Sequence, residues 1–187
     1  NNKRLLSLIV IGSIPLIIVG YVFYSTGIIY ELRNIKIIAW TTLIFGILLF
    51  ISDKYKLEKN INTNFNFKAA IFIGLFQVLS LVPGVSRSGI SITAARFLNF
   101  KRFDSAKISF LLSIPTLGAV SIFGMKNLII SNDMGFSILN IIAIFLSFIF
   151  SIITIKYFLK YIRNFSLSIF VIYRVIVGLI LLLIAYL

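Results

Sequence analysis

The residues that could do chemistry lie close together in residues 83–89, which read Pro-Gly-Val-Ser-Arg-Ser-Gly. Pro83 ends a helix, and Gly84 allows a tight turn and the close approach of a ligand. If the last two residues open a second helix, its free N–H groups point into the turn and form an anion site. The planar guanidinium of Arg87, between two hydroxyls, suits phosphate oxygens. The segment therefore predicts the binding of a phosphate-bearing ligand.

The composition places this segment in a membrane protein. The chain has 187 residues, of which 60% are hydrophobic and 12% are charged, whereas soluble domains are about half apolar and about a quarter charged. A water-soluble globule is excluded. The chain also has no cysteine and no histidine, which excludes disulfides, thiol nucleophiles and a histidine base or metal ligand from within these residues.

Five segments are apolar and long enough to cross a bilayer as helices, which takes about 20 residues. They are residues 5–24, 35–51, 108–123, 136–158 and 167–187. The sequence therefore predicts an all-α, polytopic integral membrane protein with about five transmembrane helices, in a single membrane domain over residues 1–187.

Residues 67–99 do not fit this scheme, because Pro83 and Gly84 split them into pieces of about 15 and about 11 residues, or about 22 and 17 Å of helix. Both pieces are shorter than the hydrocarbon core of about 30 Å. They also carry a polar set that suits no lipid-facing helix: Gln77, Ser80, Ser86, Arg87, Ser88, Ser91, Thr93 and Arg96. We predict a re-entrant helical hairpin over about residues 67–99, with its tip at depth.

The charge distribution favours an even number of crossings in this stretch. A hairpin that enters and leaves on one side divides the loop cations twelve to three, a clear positive-inside signal, whereas a single crossing removes it. The side with twelve cations is predicted to be cytoplasmic, and the carboxyl terminus lies opposite. The twelve are Lys3, Arg4, Lys54, Lys56, Lys59, Lys68, Lys101, Arg102, Lys107, Lys156, Lys160 and Arg163, against Arg33, Lys36 and Lys126.

Arg87 has one competing interpretation. An arginine at the membrane centre costs about 2.5 to 3.5 kcal/mol on insertion scales, which a phosphate ligand would explain and an unpaired structural role would not. The alternative is that Arg87 pairs with backbone carbonyls and only pins the tip of the hairpin, while the serines cap the helix.

Other polar residues have weaker claims. Gln77 either hydrogen-bonds groups around the ligand or only packs, and Thr93 either lines the same pocket or bonds back to its own helix. We expect Arg96 and Arg102 to extend toward lipid headgroups. Arg174 lies inside the last span. We expect it either to extend toward lipid headgroups or to pair with another group of the protein in a structural role.

Longer runs around the polar segment resemble a known family. Residues 74–93 read GLFQVLSLVPGVSRSGISIT, and residues 100–119 read FKRFDSAKISFLLSIPTLGA. Both are similar to the undecaprenyl-diphosphate phosphatase family of bacteria, also called bacitracin-resistance protein. Residues 11–15 and 46–49 also fall where that family has similar runs, so the resemblance covers nearly the whole chain.

The resemblance implies a bacterial inner-membrane enzyme that hydrolyses undecaprenyl diphosphate to undecaprenyl phosphate and phosphate, recycling the lipid carrier for cell-wall synthesis. It also implies two inverted repeats, each with a re-entrant hairpin, whose tips meet in one site open to the periplasm. Carried over by position, Arg87 binds and neutralises the diphosphate, and Ser86 and Ser88 complete the catalytic set. The implied substrate-binding residues are Pro83, Gly84, Gly89, Gln77 and Thr93.

One departure from the family matters. Family members carry, toward the amino end, a further hairpin with glutamates, serines and a histidine, and this chain has no such motif. Its acidic residues lie in predicted loops or at their edges, so none is an obvious base beside Arg87. They are Glu31, Asp53, Glu58, Asp104 and Asp133. We therefore expect the chain to be the carboxyl-terminal fragment of a phosphatase whose base lies in a segment not present here.

Two other functions stay open at this point: a transporter or flippase for polyprenyl phosphates, because broken helices suit such carriers, and a non-catalytic remnant that lacks the general base. No cofactor is visible, and the resemblance allows a divalent cation such as magnesium or calcium. The expected partners are a polyprenyl diphosphate lipid and membrane lipids, with a homodimer left open. No nucleic acid is expected, because the cations are spread over short loops.

Overall fold

The computed structural model describes residues 2–54, 58–130 and 138–187. Within these ranges the chain is helical and contains no β-strand, which confirms the all-α fold class. A 3₁₀ turn, Leu79–Leu81, follows the fifth helix. The helices in chain order are α1 (Asn2–Thr26), α2 (Ile28–Glu31), α3 (Ile35–Asp53), α4 (Ile61–Asn64), α5 (Phe67–Val78), α6 (Arg87–Phe97), α7 (Arg102–Ile130), α8 (Ile138–Asn164) and α9 (Ser168–Tyr186).

Five of these helices are long and apolar enough to cross a membrane, as predicted: α1, α3, α7 over Arg102–Ile122, α8 and α9. The chain is a multi-pass membrane protein. The largest difference in bounds is at α7, which runs over Arg102–Ile130 rather than over residues 108–123. Its first turn is polar, so hydropathy missed it, although Asp104 there suits the positive end of the helix dipole.

Some residues named in the sequence analysis lie outside the part of the chain that the structure describes. Lys56 and Asp133 lie outside the described residues, as do the first two residues of the predicted span 136–158 and the side chain of Lys126.

Glycines set the closest approaches between the helices. A Cβ on Gly74 of α5 would lie 2.9 Å from the carbonyl carbon of Gly12 in α1. A Cβ on Gly178 of α9 would lie 3.2 Å from the side chain of Leu43 in α3. Because lipid tails are as apolar as the side chains, membrane helices associate through such close packing at small residues.

Helices α5 and α6 form a hairpin, residues 67–99, whose two ends lie side by side. The flanking backbones pair, since Lys59 N donates to the Asn99 carbonyl and Lys101 N donates to the Lys59 carbonyl, each at 3.1 Å. The rings of Phe65 and Phe100 pack edge to face with their centroids 6.3 Å apart. Both ends of the hairpin therefore lie at the same end of the helix bundle, which we call the base.

The tip of the hairpin, residues 83–89, reaches well into the bundle. Thr41 of α3, which contacts the tip at 2.6 Å, lies twelve residues before Asp53, where α3 ends at the base. At 1.5 Å per residue, the tip is about 18 Å along α3 from its base end, out of about 27 Å. This depth supports a re-entrant hairpin, whose insertion into the bilayer stays a prediction.

Candidate active site

The turn at the tip packs on α3 and requires a glycine. Gly84 has φ +89°, in the left-handed region that favours glycine, and a Cβ there would lie 2.6 Å from the Ile38 carbonyl oxygen. The hydroxyl of Thr41 has three carbonyl oxygens within reach, and that of Pro83 is the nearest at 2.6 Å. The Thr42 hydroxyl donates to the Gly84 carbonyl at 3.3 Å. Two successive carbonyls of the tip are therefore turned toward α3.

Arg174 of α9 holds the same turn from a second direction. One of its terminal nitrogens donates to the Gly84 carbonyl at 2.7 Å and to the Val85 carbonyl at 3.0 Å. The side chain is buried and passes between two glycines: a Cβ on Gly46 would lie 3.1 Å from its Cβ, and one on Gly89 would lie 2.8 Å from Nη1. Of the two roles predicted for Arg174, the structure shows the structural pairing and not the extension toward headgroups.

Ser86 lies at the start of α6 in an unusual backbone conformation. Its φ of 64° and ψ of 113° are rare for a residue with a side chain, and such strain persists only where surrounding contacts impose it. Its hydroxyl caps the helix by accepting from Gly89 N at 3.3 Å. The side chain remains exposed. The cap agrees with the structural interpretation of the serine, and the strained backbone places its hydroxyl beside the free N–H groups of the helix.

Arg87, the first residue of α6, points into the bundle toward α7. Its Nη1 donates to the Thr116 hydroxyl at 3.0 Å, and that hydroxyl in turn reaches the carbonyls of its own helix at 3.1 Å. The side chain is half-buried. The alternative pairing of Arg87 with backbone carbonyls is not what the structure shows, because its partner is a neutral hydroxyl.

The other predicted site residues differ in exposure and in their hydrogen-bond partners. Ser88 is exposed, and its carbonyl accepts from the Ser109 hydroxyl at 3.4 Å. Thr93 is buried and its hydroxyl bonds back to the Gly89 carbonyl at 2.9 Å. Gln77 is 1% exposed, and its Oε1 has no hydrogen-bond partner among the described residues. Contacts of Gln77 and Thr93 with a substrate stay predictions.

A cavity of about 440 Å³ adjoins Arg87 and Thr116. Its walls come mainly from α1, α7 and the turn after α5, and they are largely apolar. Lining residues include Leu16, Ile17, Gly20, Leu81, Ala119 and Val120. The guanidinium of Arg87 and the hydroxyl of Thr116 therefore lie in the wall of a largely apolar space, which is an arrangement suited to an amphipathic anion.

The base of the hairpin corrects one sequence prediction. Arg96, expected to extend toward lipid headgroups, is fully buried and forms an ion pair with Asp53 at 2.9 Å. Arg102 binds both carboxylate oxygens of Asp53, at 2.8 and 3.0 Å. Leu167 N also donates to this carboxylate at 3.2 Å. One buried aspartate thus joins α3, α6, α7 and the start of α9, and no headgroup is needed to explain these arginines.

Sequence reasoning missed the hydroxyl partners of the tip. Thr41, Thr42 and Thr116 lie inside predicted spans. In a spanning helix a threonine hydroxyl usually bonds to a carbonyl of its own helix, so it gives no sign of a further partner. The signal was present, because a Thr-Thr pair interrupts an otherwise apolar span and Thr116 follows a proline. Only the three-dimensional structure shows that both helices turn these hydroxyls toward the hairpin.

The tip residues do not by themselves fit a divalent-cation site. Mg²⁺ and Ca²⁺ are held mainly by carboxylate oxygens, and the described residues contain no cluster of three or more acidic, histidine or cysteine side chains. The carbonyls of Gly84 and Val85 already accept from Arg174. The dependence on magnesium or calcium that the resemblance allows stays a prediction.

Comparison with known proteins identifies the family of the chain. The family model described as Bacitracin resistance protein BacA matches residues 1–180. The chain belongs to this family. The match confirms the resemblance that residues 74–93 and 100–119 indicated.

Individual relatives carry the same description of activity in their names. The undecaprenyl-diphosphatase of Pelagibacter ubique is 56% identical over 187 residues, which are 100% of this chain and 73% of that protein. The undecaprenyl-diphosphatase of Jannaschia sp. is 39% identical over 185 residues, or 99% of this chain and 69% of that protein. The undecaprenyl-diphosphatase of Elusimicrobium minutum is 36% identical over 185 residues, which are 99% of this chain and 69% of that protein.

Proposed function

We propose that this BacA-family chain hydrolyses undecaprenyl diphosphate to undecaprenyl phosphate and inorganic phosphate, and so contributes to cell-wall synthesis and bacitracin resistance. The observation that carries the proposal is Arg87. It is a guanidinium at the tip of a deep hairpin, and its described partner is neutral Thr116. A cation so placed is functional by default in a membrane protein, and a diphosphate supplies the missing negative charge.

The geometry supplies charge neutralisation and positioning, which carry most of phosphoryl transfer. In the reaction a water oxygen bonds to the terminal phosphorus, the bond from that phosphorus to the bridging oxygen breaks, and the lipid monophosphate leaves. The water gives up one proton. Arg87 and the free N–H groups at the start of α6 stabilise the charge that develops on the phosphate oxygens. Ser86 and Ser88, exposed beside them, hold those oxygens.

The group that takes the proton is not among the described residues at the tip. The ion pairs of the described residues involve Asp53 at the base, about 18 Å along α3 from the tip. Our expectation that the base comes from outside these 187 residues stays a prediction.

Release of inorganic phosphate from undecaprenyl diphosphate by the full-length protein tests the proposal. Arg87→Ala is expected to abolish most of this release, whereas Arg102→Ala, an arginine of the base, leaves the rate per folded molecule near that of the unchanged protein. Equal activity of Arg87→Ala and the unchanged protein would refute the assignment.

The transporter alternative is not favoured, because the relatives are named for hydrolysis. Sealed vesicles separate the two functions. Movement of labelled undecaprenyl diphosphate across the vesicle membrane without any phosphate release would support a flippase instead.

We also propose that the chain resides in the bacterial inner membrane with the base on the cytoplasmic side. The chain has no cysteine, so single substitutions such as Lys160→Cys at the base end of α8 and Asn34→Cys at the opposite end of α3 report the side of the membrane. A membrane-impermeant thiol reagent added outside spheroplasts should label Asn34→Cys and spare Lys160→Cys, and the reverse pattern would contradict this orientation. Whether two copies form a homodimer stays a prediction, to be checked by the mass of the detergent-solubilised protein.

A further inference from the structure

We infer that Thr116 of α7 is a positioning residue for the proposed reaction. It holds the guanidinium of Arg87 in place for the diphosphate without neutralising its charge. The inference rests on the proposed function and adds to it the residue through which α7 acts on the tip of the hairpin. Thr116 does not need to touch the substrate, because its effect passes through Arg87.

Thr116 lies on the face of α7 that packs against the first turn of α6. Ser109, Leu112 and Thr116 follow one another at spacings of three and four residues, so they share one face of the helix, and all three are buried. The Ser109 hydroxyl lies 3.4 Å from the Ser88 carbonyl, so the same face contacts the start of α6 at a second point. The backbone of α7 therefore fixes where the Thr116 hydroxyl lies relative to Arg87.

The hydroxyl of Thr116 is oriented by its own helix. Its oxygen lies 3.1 Å from the carbonyl oxygens of Leu112 and of Ser113, and since a hydroxyl has a single proton, one of these carbonyls accepts it. A lone pair of the hydroxyl oxygen then accepts from Nη1 of Arg87 at 3.0 Å. Threonine is branched at Cβ, so few rotamers are open to it in a helix. The acceptor that Arg87 meets is thus in place before any ligand arrives.

The neutrality of this acceptor suits an arginine that binds a ligand. At the base, the carboxylate of Asp53 forms ion pairs with Arg96 and Arg102, and a carboxylate beside Arg87 would compete with phosphate in the same way. A hydroxyl occupies one N–H donor of the guanidinium and leaves its charge intact. Phosphate oxygens can then be bound through two parallel N–H donors of the same group.

Fixing Arg87 in advance should raise the affinity for the diphosphate. The side chain is half-buried and borders a cavity of about 440 Å³, so it has room to turn. A long side chain loses rotamer freedom when a ligand immobilises it, and binding is tighter where the unbound protein has already lost that freedom. The contact with Thr116 restricts the guanidinium to the wall formed by α7.

Matched substitutions in the full-length protein test this role. Thr116→Val keeps the shape of the side chain and removes the acceptor, so it should raise Kd for a non-hydrolysable, methylene-bridged undecaprenyl diphosphate about tenfold. Thr116→Ser keeps the hydroxyl and should recover most of the affinity. Thr154→Val, at an exposed position of α8, is the control for replacing a threonine in a spanning helix and should leave Kd unchanged.

The decisive comparison repeats Thr116→Val in a protein that lacks the arginine. In an Arg87→Ala background, Thr116→Val should have no further effect on Kd, because no guanidinium is left to position. A residue that only stabilises the fold or shapes the cavity would weaken binding by the same factor in both backgrounds. Equal factors in the two backgrounds would overturn the inference, and so would an unchanged Kd in Thr116→Val alone.

Inorganic diphosphate, which has no tail, gives a second readout. Its inhibition constant as a competitor of the lipid should rise about tenfold in Thr116→Val. A loss of affinity for the lipid analogue only would place the effect in the cavity wall and overturn the inference. Failure of the proposed function is a different result: an unchanged protein that binds the analogue but releases no phosphate from undecaprenyl diphosphate would refute hydrolysis, while the affinities would still decide the role of Thr116.

Discussion

Arginines lie near both the tip and the base of the hairpin, and their hydrogen-bond partners differ between these two regions. At the base, Arg96 and Arg102 share the carboxylate of Asp53 within 3.0 Å. At the tip, Arg87 contacts a hydroxyl and Arg174 contacts two backbone carbonyls. Among the described residues, no carboxylate forms an ion pair with either arginine of the tip.

The difference separates structural from functional cations around one hairpin. A buried charge with a carboxylate partner is satisfied, and removing that partner is what destabilises the fold. Arg87 has a single hydroxyl as its described partner, so its charge is left for a ligand, whereas Arg174 directs its charge at two carbonyls of the tip. Residue type and depth alone do not assign a role to an intramembrane arginine, because the assignment depends on which partners the neighbouring helices bring to it.

Removing the ligand-facing charge of the tip should change the rate of hydrolysis more than any other substitution. Arg87→Ala should lower the rate of phosphate release about a thousandfold, the scale of losing a charge-stabilising donor in phosphoryl or acyl transfer. The measurement is the initial rate with undecaprenyl diphosphate at saturating concentration. Arg102→Ala is the control at the base, and a comparable loss there would break the comparison.

The next largest effect is on the stability of the fold, and it follows from a substitution at the base of the hairpin. Asp53→Asn leaves Arg96 and Arg102 without their carboxylate, and should lower the free energy of unfolding by about 3 kcal/mol. Denaturant unfolding in detergent measures it. Phosphate release per folded molecule should be unchanged, because no described contact links Asp53 to the tip. A selective loss of activity at full stability would show that the base takes part in the site.

The sequence alone predicts the features of the fold that the thickness and apolarity of the bilayer constrain. Five spans follow from length and hydropathy, and the break at Pro83 and Gly84 follows from the missing donor of proline and the freedom of glycine. Pairings across the bundle could not be predicted, because they depend on helix rotation. Arg96 was misassigned for this reason: its partner Asp53 is 43 residues away in the chain and looked like an ordinary residue at the edge of a loop.

The third prediction concerns the arginine that holds the tip without facing the ligand. Arg174→Gln loses the charge-assisted bonds to two carbonyls, each bond being worth about 1.5 to 3 kcal/mol, and should lower phosphate release by about thirtyfold. Arg174→Lys keeps the charge and one donor, so it should recover part of the rate. This rescue separates positioning from folding, since a merely structural residue would show the same rate per folded molecule in all three proteins.

The smallest expected effect comes from the threonines that turn the tip carbonyls toward α3. Thr41→Val removes the 2.6 Å contact with the Pro83 carbonyl and should cost about 1 kcal/mol of unfolding free energy. Thr42→Val removes a contact of 3.3 Å and should cost less. Parallel denaturation curves check the order, and a larger cost for Thr42→Val would show that Thr41 is satisfied within its own helix.

Arg87 at the tip is reserved for phosphate, whereas Arg96 and Arg102 at the base are not. The most direct test of this difference is the affinity of the full-length protein for a non-hydrolysable, methylene-bridged undecaprenyl diphosphate, compared between Arg87→Gln and Arg102→Gln. Arg87→Gln should weaken binding about a hundredfold, the scale of a lost charge-assisted pair, and Arg102→Gln should leave the dissociation constant unchanged. Equal affinities in the two variants would contradict this difference.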